Sequence, residues 1–133
     1  MTSESDPAAS VASRVAGVLD PEALARLREL DPEGQSKLLS RVAGAFGTSV
    51  ARLLPQLKTA LEARDMAAIR HVAHTLKSSS ASIGAVKLSR LCADIESMSR
   101  EGRFEGLPDA IAAFNSEVTA VLDALKPLLE SQP

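Results

Sequence analysis

Two histidines, His71 and His74, are the residues of this chain best equipped for chemistry, and they lie three positions apart. Near neutral pH an imidazole serves as nucleophile, proton carrier or metal ligand. Metal binding is the poorest fit. An i, i+3 pair supplies only two ligands, and no pair of Glu-x-x-His motifs is present for a dinuclear bundle site. No metal or cofactor is therefore expected on the chain. What sets His74 apart is the segment after it. Lys77 stands three residues on, followed by Ser78-Ser79-Ser80-Ala81-Ser82, four serines in five positions. Serine competes for backbone hydrogen bonds and is a poor helix former. A helix chosen for stability alone would not collect it mid-element, but small side chains let another protein approach closely. By position alone, His74 also suits an ordinary surface histidine, and so does His71.

The elements that hold these residues read as helices. Alanine and leucine supply 22 and 18 of the 133 positions, whereas Val, Ile and Thr together supply 18. That balance favours helix over strand. Asp20-Pro21-Glu22 reads as a helix start, with Asp as N-cap, Pro at the first position and an acid beside the positive dipole end. Asp31-Pro32-Glu33 repeats the signal, so a second helix is expected from there. Its stripe runs Leu39, Val42, Phe46, Val50, Leu53, Leu57, Leu61, with a bend, not a break, expected at Pro55. A third helix starts near Asp65 and faces inward with Ile69, Val72, Ala73, Leu76 and Ile83. At 100° per residue His74 falls about 140° from Ile69, on the water-facing side, with Arg70, Ser78, Lys77 and Ala81 as neighbours. Gly84 marks a boundary. A fourth helix carries Leu88, Leu91, Cys92, Ile95 and Met98. A fifth carries Leu107, Ile111, Phe114, Val118, Val121, Leu125 and Leu128, and frays at Pro127.

Short links make successive helices antiparallel neighbours. The expected fold is all-α, an up-down-up-down four-helix bundle over residues 20–133 with an additional short N-terminal helix. Residues 1–19, poor in large apolar groups, are expected to form a flexible or partly helical arm.

Composition excludes several functions. Three aromatic residues, all Phe, offer few platforms for stacking bases, and a formal net charge of -2 gives no nucleic-acid footprint. The single cysteine forms no internal disulfide, which suits a reducing, cytoplasmic setting. No apolar run approaches a membrane span, and the acidic, polar N-terminus lacks the features of a signal peptide.

The string Ala73-His74-Thr75-Leu76-Lys77-Ser78-Ser79-Ser80-Ala81-Ser82-Ile83-Gly84-Ala85 resembles the signature of histidine-containing phosphotransfer (HPt) domains of two-component phosphorelays. The close match covers about 13 residues, and helix order extends it weakly over residues 20–130. The resemblance implies that His74 accepts a phosphoryl group from a receiver-domain phospho-aspartate and passes it to the aspartate of another receiver. It implies that Lys77 offsets the phosphoryl charge. One charge pair at about 4 Å, in an effective dielectric of about 20, is worth roughly 4 kcal/mol before desolvation. Ser78 departs from the family's Gly; its hydroxyl could bond the phosphoryl oxygen or crowd a docking receiver. The divalent metal is expected on the partner receiver. Arg70, Ser78, Ala81 and Arg100 are the expected partner-binding residues, and the chain is expected to be monomeric.

A helical hairpin turning at Gly84, ten residues after His74 and twelve before Glu96, brings those two to nearly the same level. Family members place a polar residue there, often Gln, on the imidazole Nδ1. Glu96 could take that place, or could be a solvated flank carboxylate. Arg100 lies one turn further. No Walker or kinase glycine-rich loop is visible, so no ATP-dependent kinase activity is expected. The alternatives are a histidine kinase dimerisation and phosphoacceptor domain, which usually follows its histidine with an acid where this chain has Thr75, and a non-transferring helical adaptor that binds response regulators.

Overall fold

A computed structural model of the chain describes residues 18–33 and 37–130, with backbone alone for 128–130. Residues 1–17 of the expected arm lie outside that range, as does the side chain of Leu128. All regular structure among the described residues is helical: α1 (Pro21–Glu29), α2 (Leu38–Glu62), α3 (Met66–Ser82), α4 (Val86–Arg100) and α5 (Leu107–Glu130). The sequential helices pack on one another, and α5 closes back on α2. This is the expected bundle of four long helices preceded by a short one.

Local chemistry explains most boundaries. The Asp20 carboxylate accepts from the Glu22 N–H at 3.2 Å, and that of Asp65 accepts from the Ala68 N–H at 3.1 Å. Such caps are worth about 1 kcal/mol each. The second Asp-Pro-Glu signal behaves differently. Residues 31–33 form a turn, and α2 begins only at Leu38, after Lys37 in the left-handed region (φ 53°). Asp31 still serves this helix, because its Oδ2 accepts from the Leu38 N–H at 3.1 Å, seven residues away. The helix expected at Asp31-Pro32-Glu33 therefore does not start there, and Asp31 is not its N-cap residue, although its carboxylate reaches the first N–H of α2. At the other end α5 continues through Pro127 to Glu130 instead of ending there. Helix α2 likewise runs unbroken past Pro55.

The stripes meet in one core. Phe46, Val50, Leu53 and Leu57 of α2 bury with Ile69, Val72, Ala73 and Leu76 of α3, Leu88, Cys92 and Ile95 of α4, and Leu107, Ile111, Phe114, Val118 and Val121 of α5. Leu19 is buried too, and Val18 packs against the core, so the last two residues of the expected arm belong to the packed body.

Gly84 is where α1, α3 and α4 come together. Its φ of +82° is open to glycine at little cost, and its carbonyl accepts from the Asp20 N–H at 2.7 Å. A Cβ there would meet the Ala23 Cβ at 2.9 Å and the Asp20 backbone N at 3.0 Å. The reversal that brings α4 alongside α3, and with it the site, depends on this residue.

Candidate functional site

The site forms where α3 and α4 run antiparallel. His74 meets Glu96, Lys77 meets Ser89 and Ser80 meets Cys92, three pairs that each span the turn at Gly84. The close approach rests partly on the serine run. Ser80 is fully buried and donates back to the Leu76 carbonyl at 2.6 Å, so its hydroxyl is satisfied without a large side chain between the helices. Ser79 and Ser82 donate in the same way to Thr75 and Ser78. The serines therefore do not form one docking surface. Ser78, Ala81 and Ser82 are exposed, Ser79 lines a shallow groove against α2 with Phe46 and Ile83, and Ser80 is packing.

His74 is exposed, as its place on the helix predicts, with 67 % of its side chain open to solvent. Its Nδ1 lies 2.8 Å from Glu96 Oε2. Glu96 is not a solvated flank group: only 7 % of its side chain is accessible. Burying a carboxylate is unfavourable unless it is paired and hydrogen-bonded, and three groups do this. Lys77 Nζ donates to Oε1 at 2.6 Å, His74 Nδ1 bonds Oε2, and Arg100 Nη2 stands 3.6 Å from Oε2. An ionised carboxylate is acceptor-only, so the Nδ1 facing it carries the proton. The lone pair is then on Nε2, across the ring.

The hydrogen bond from Lys77, followed by that from His74, holds the Glu96 carboxyl below the usual carboxylate range, against the opposing effect of burial. A carboxyl whose folded-state value is depressed contributes stability above its unfolded value, near pH 4.3. That contribution is lost as pH falls through the folded-state value. Acidification from about pH 5 to about pH 3 is therefore expected to lower the urea midpoint of the wild-type chain more than that of Glu96→Gln. Parallel midpoint curves would show that Glu96 does not carry the difference.

Of the other expected residues, Arg70 and His71 line a cleft of about 350 Å³ with Ala67, His74 and Glu96. Ser78 and Ala81 are exposed further along α3. The structure thus gathers His74, Lys77, Glu96 and Arg100 into one cluster, with Arg70 in the adjoining cleft. Sequence reasoning missed two contacts. Lys77 was assigned to an incoming charge, yet at rest it is bound to Glu96. Ser89, not singled out, donates to the Lys77 carbonyl at 3.2 Å and ties α4 to α3 beside the site. A serine on the flank of an apolar stripe is the only signal for it in the sequence. Cys92 is no rival nucleophile, since burial pushes its thiol up to about 12. Among the described residues no His, Cys, Asp or Glu cluster could hold a metal ion, and no helix is long and apolar enough to cross a membrane.

Comparison with known proteins agrees with this geometry. The sequence profile of the Hpt domain matches residues 41–126. Among solved structures, histidine-containing phosphotransfer protein B (HptB) of Pseudomonas aeruginosa PAO1 is 29 % identical with a TM-score of 0.76, the match covering 84 % of this chain and 94 % of that one. A rice protein assigned as a histidine-containing phosphotransfer protein has the same TM-score at 22 % identity over 91 % of both chains, a likeness of fold. No curated protein gives a significant match. The all-helical fold, the profile match across most of the bundle and the likeness to HptB together show that the chain belongs to the Hpt domain family of phosphorelay intermediates.

Proposed function

We propose that His74 is the phosphoryl acceptor of this intermediate, receiving the group from a receiver-domain phospho-aspartate and delivering it to the aspartate of another receiver. One observation carries the assignment: an exposed imidazole whose Nδ1 is engaged by a buried carboxylate at 2.8 Å. The contact selects the Nδ1–H tautomer and directs the Nε2 lone pair outward. Nε2 attacks phosphorus, the N–P bond forms, and the P–O bond to the donor aspartate breaks. The aspartate leaves as carboxylate with the bonding electron pair. Nδ1 keeps its proton, so the ring becomes an imidazolium, and in the return step it leaves again as a neutral imidazole.

Lys77 and Arg100 gather positive charge around Glu96, on the Nδ1 side of the His74 ring, and Arg70 adds to it from the cleft; in this reading Lys77 turns to the phosphoryl group when one arrives. Ser78 and Ala81 provide the low, exposed surface over which a receiver docks. In this reading the receiver brings the divalent metal, and the chain brings a nucleophile, cations and a docking face. It acts as a monomer in the cytoplasm and takes no phosphate from ATP. The profile match favours this carrier over the kinase dimerisation domain and the silent adaptor. The test is to incubate the chain separately with a phosphorylated receiver and with ATP. Acid-labile, alkali-stable label from the receiver alone supports the assignment; label from ATP, or none from any receiver of the source organism, refutes it.

A further inference from the structure

The resting site holds a competition that the transfer reaction must resolve. Lys77 Nζ lies 2.6 Å from Glu96 Oε1, so the cation assigned to the phosphoryl group is already engaged by a carboxylate on the Nδ1 side of the ring. The Lys77 side chain is 36 % exposed and can move, whereas Glu96 is enclosed between the helices. Building on the reading of His74 as acceptor, we propose that Glu96 withholds Lys77 from the phosphoryl group and so biases the exchange equilibrium toward handing the group on to a receiver.

The argument follows the charges. Phosphorylation forms the Nε2–P bond, breaks the aspartyl P–O bond and leaves a dianionic phosphoryl group on an imidazolium that retains its Nδ1 proton. Glu96 then faces two new charges. One is a single positive charge across the hydrogen bond to Nδ1. The other is a double negative charge about twice as far away, beyond the ring. Coulomb energy scales as the product of charges over distance, so this attraction and this repulsion come close to cancelling. The Lys77 interaction does not cancel. At rest Lys77 makes a short, charge-assisted bond to Glu96. In the phosphorylated chain it is divided between two anions. Weakening that pair opposes phosphorylation. Arg100, at 3.6 Å from Glu96 and on the exposed side, is within ion-pairing range but beyond hydrogen-bond distance, and offsets part of the loss. A glutamine at 96 would still accept from Nδ1–H through its amide oxygen, but would leave Lys77 to the phosphoryl group. The side chain at this position thus acts as a positioning residue that tunes how readily His74 gives up its load.

The experiment follows exchange between the full chain and one phosphorylated receiver to equilibrium, approached from both directions. It compares wild type, Glu96→Gln, Lys77→Met and the double variant. Glu96→Gln is expected to move the equilibrium constant toward phospho-His74 by about 2–5-fold, the scale of one partly exposed ion pair. That shift should vanish in the Lys77→Met background, which a simple structural role of Glu96 would not produce. Nitrogen NMR of the unphosphorylated Glu96→Gln chain should still show the Nδ1–H tautomer. An equilibrium constant unchanged or moved toward the receiver overturns the proposal. So does a shift that persists without Lys77, or loss of the tautomer. Failure of the wild-type chain to take label at His74 is a separate result, and overturns the acceptor assignment itself.

Discussion

His74→Gln is expected to abolish receiver-dependent labelling, lowering incorporated acid-labile phosphate by at least about a thousandfold. The glutamine side chain is similar in reach and polarity but offers no lone pair of comparable nucleophilicity. Among the described residues no second group is placed as His74 is, with its Nδ1 on Glu96. Cys92 is fully buried with its thiol pushed up to about 12, and His71, although it lines the same cleft, is not hydrogen-bonded to Glu96. Because the His74 side chain is 67 % exposed and outside the core, the variant should keep its helical circular dichroism and its unfolding free energy within about 0.5 kcal/mol after allowance for the lost Glu96 contact. Undiminished acid-labile label in His74→Gln would sink the assignment. Label that moved to His71 would show that the cleft, and not the Nδ1 contact, selects the nucleophile.

The largest effect on stability is expected at Phe114. Its side chain is 1 % exposed and sits in the middle of the α5 stripe, on the helix that joins α4 and closes the bundle onto α2. Phe114→Ala removes a buried ring and leaves a cavity that the surrounding helices can fill only in part. The expected loss is about 3–5 kcal/mol, a large share of the total for a domain of this size. It should appear as a lower urea midpoint at unchanged m-value. Phe114→Leu, which keeps most of the volume, should cost about 1.5 kcal/mol or less. A loss below about 1 kcal/mol for the alanine variant would mean that α5 does not close the core in the way described.

These two residues differ in how much of their role was legible in the sequence. Phe114 falls on a stripe stepping by three and four from Leu107 to Leu125, and each described member of that stripe is buried. A periodic pattern reports the inward face of a helix because it repeats over many turns and tolerates an error of one residue. The start of α2 had no such redundancy. Asp31-Pro32-Glu33 is a sound capping signal, yet the chain turns there and the carboxylate caps Leu38 across seven residues. A single local signal cannot report a contact made seven residues away.

The site divides in the same way. The sequence by itself determined that His74 lies off the apolar stripe of α3, that small residues follow it, and that a hairpin at Gly84 would bring Glu96 to its level. These follow from helix periodicity and from counting residues on either side of a glycine. Only the tertiary structure decided that Glu96 is buried, that it binds Lys77 as well as His74, that Arg100 stands over it, and that Ser80 is packing between helices and not docking surface. The reason is physical. Periodicity reports which way a side chain points to within tens of degrees. An ion pair at 2.6 Å depends on the separation, rotation and rotamers of two helices packed together, which are set by the whole core.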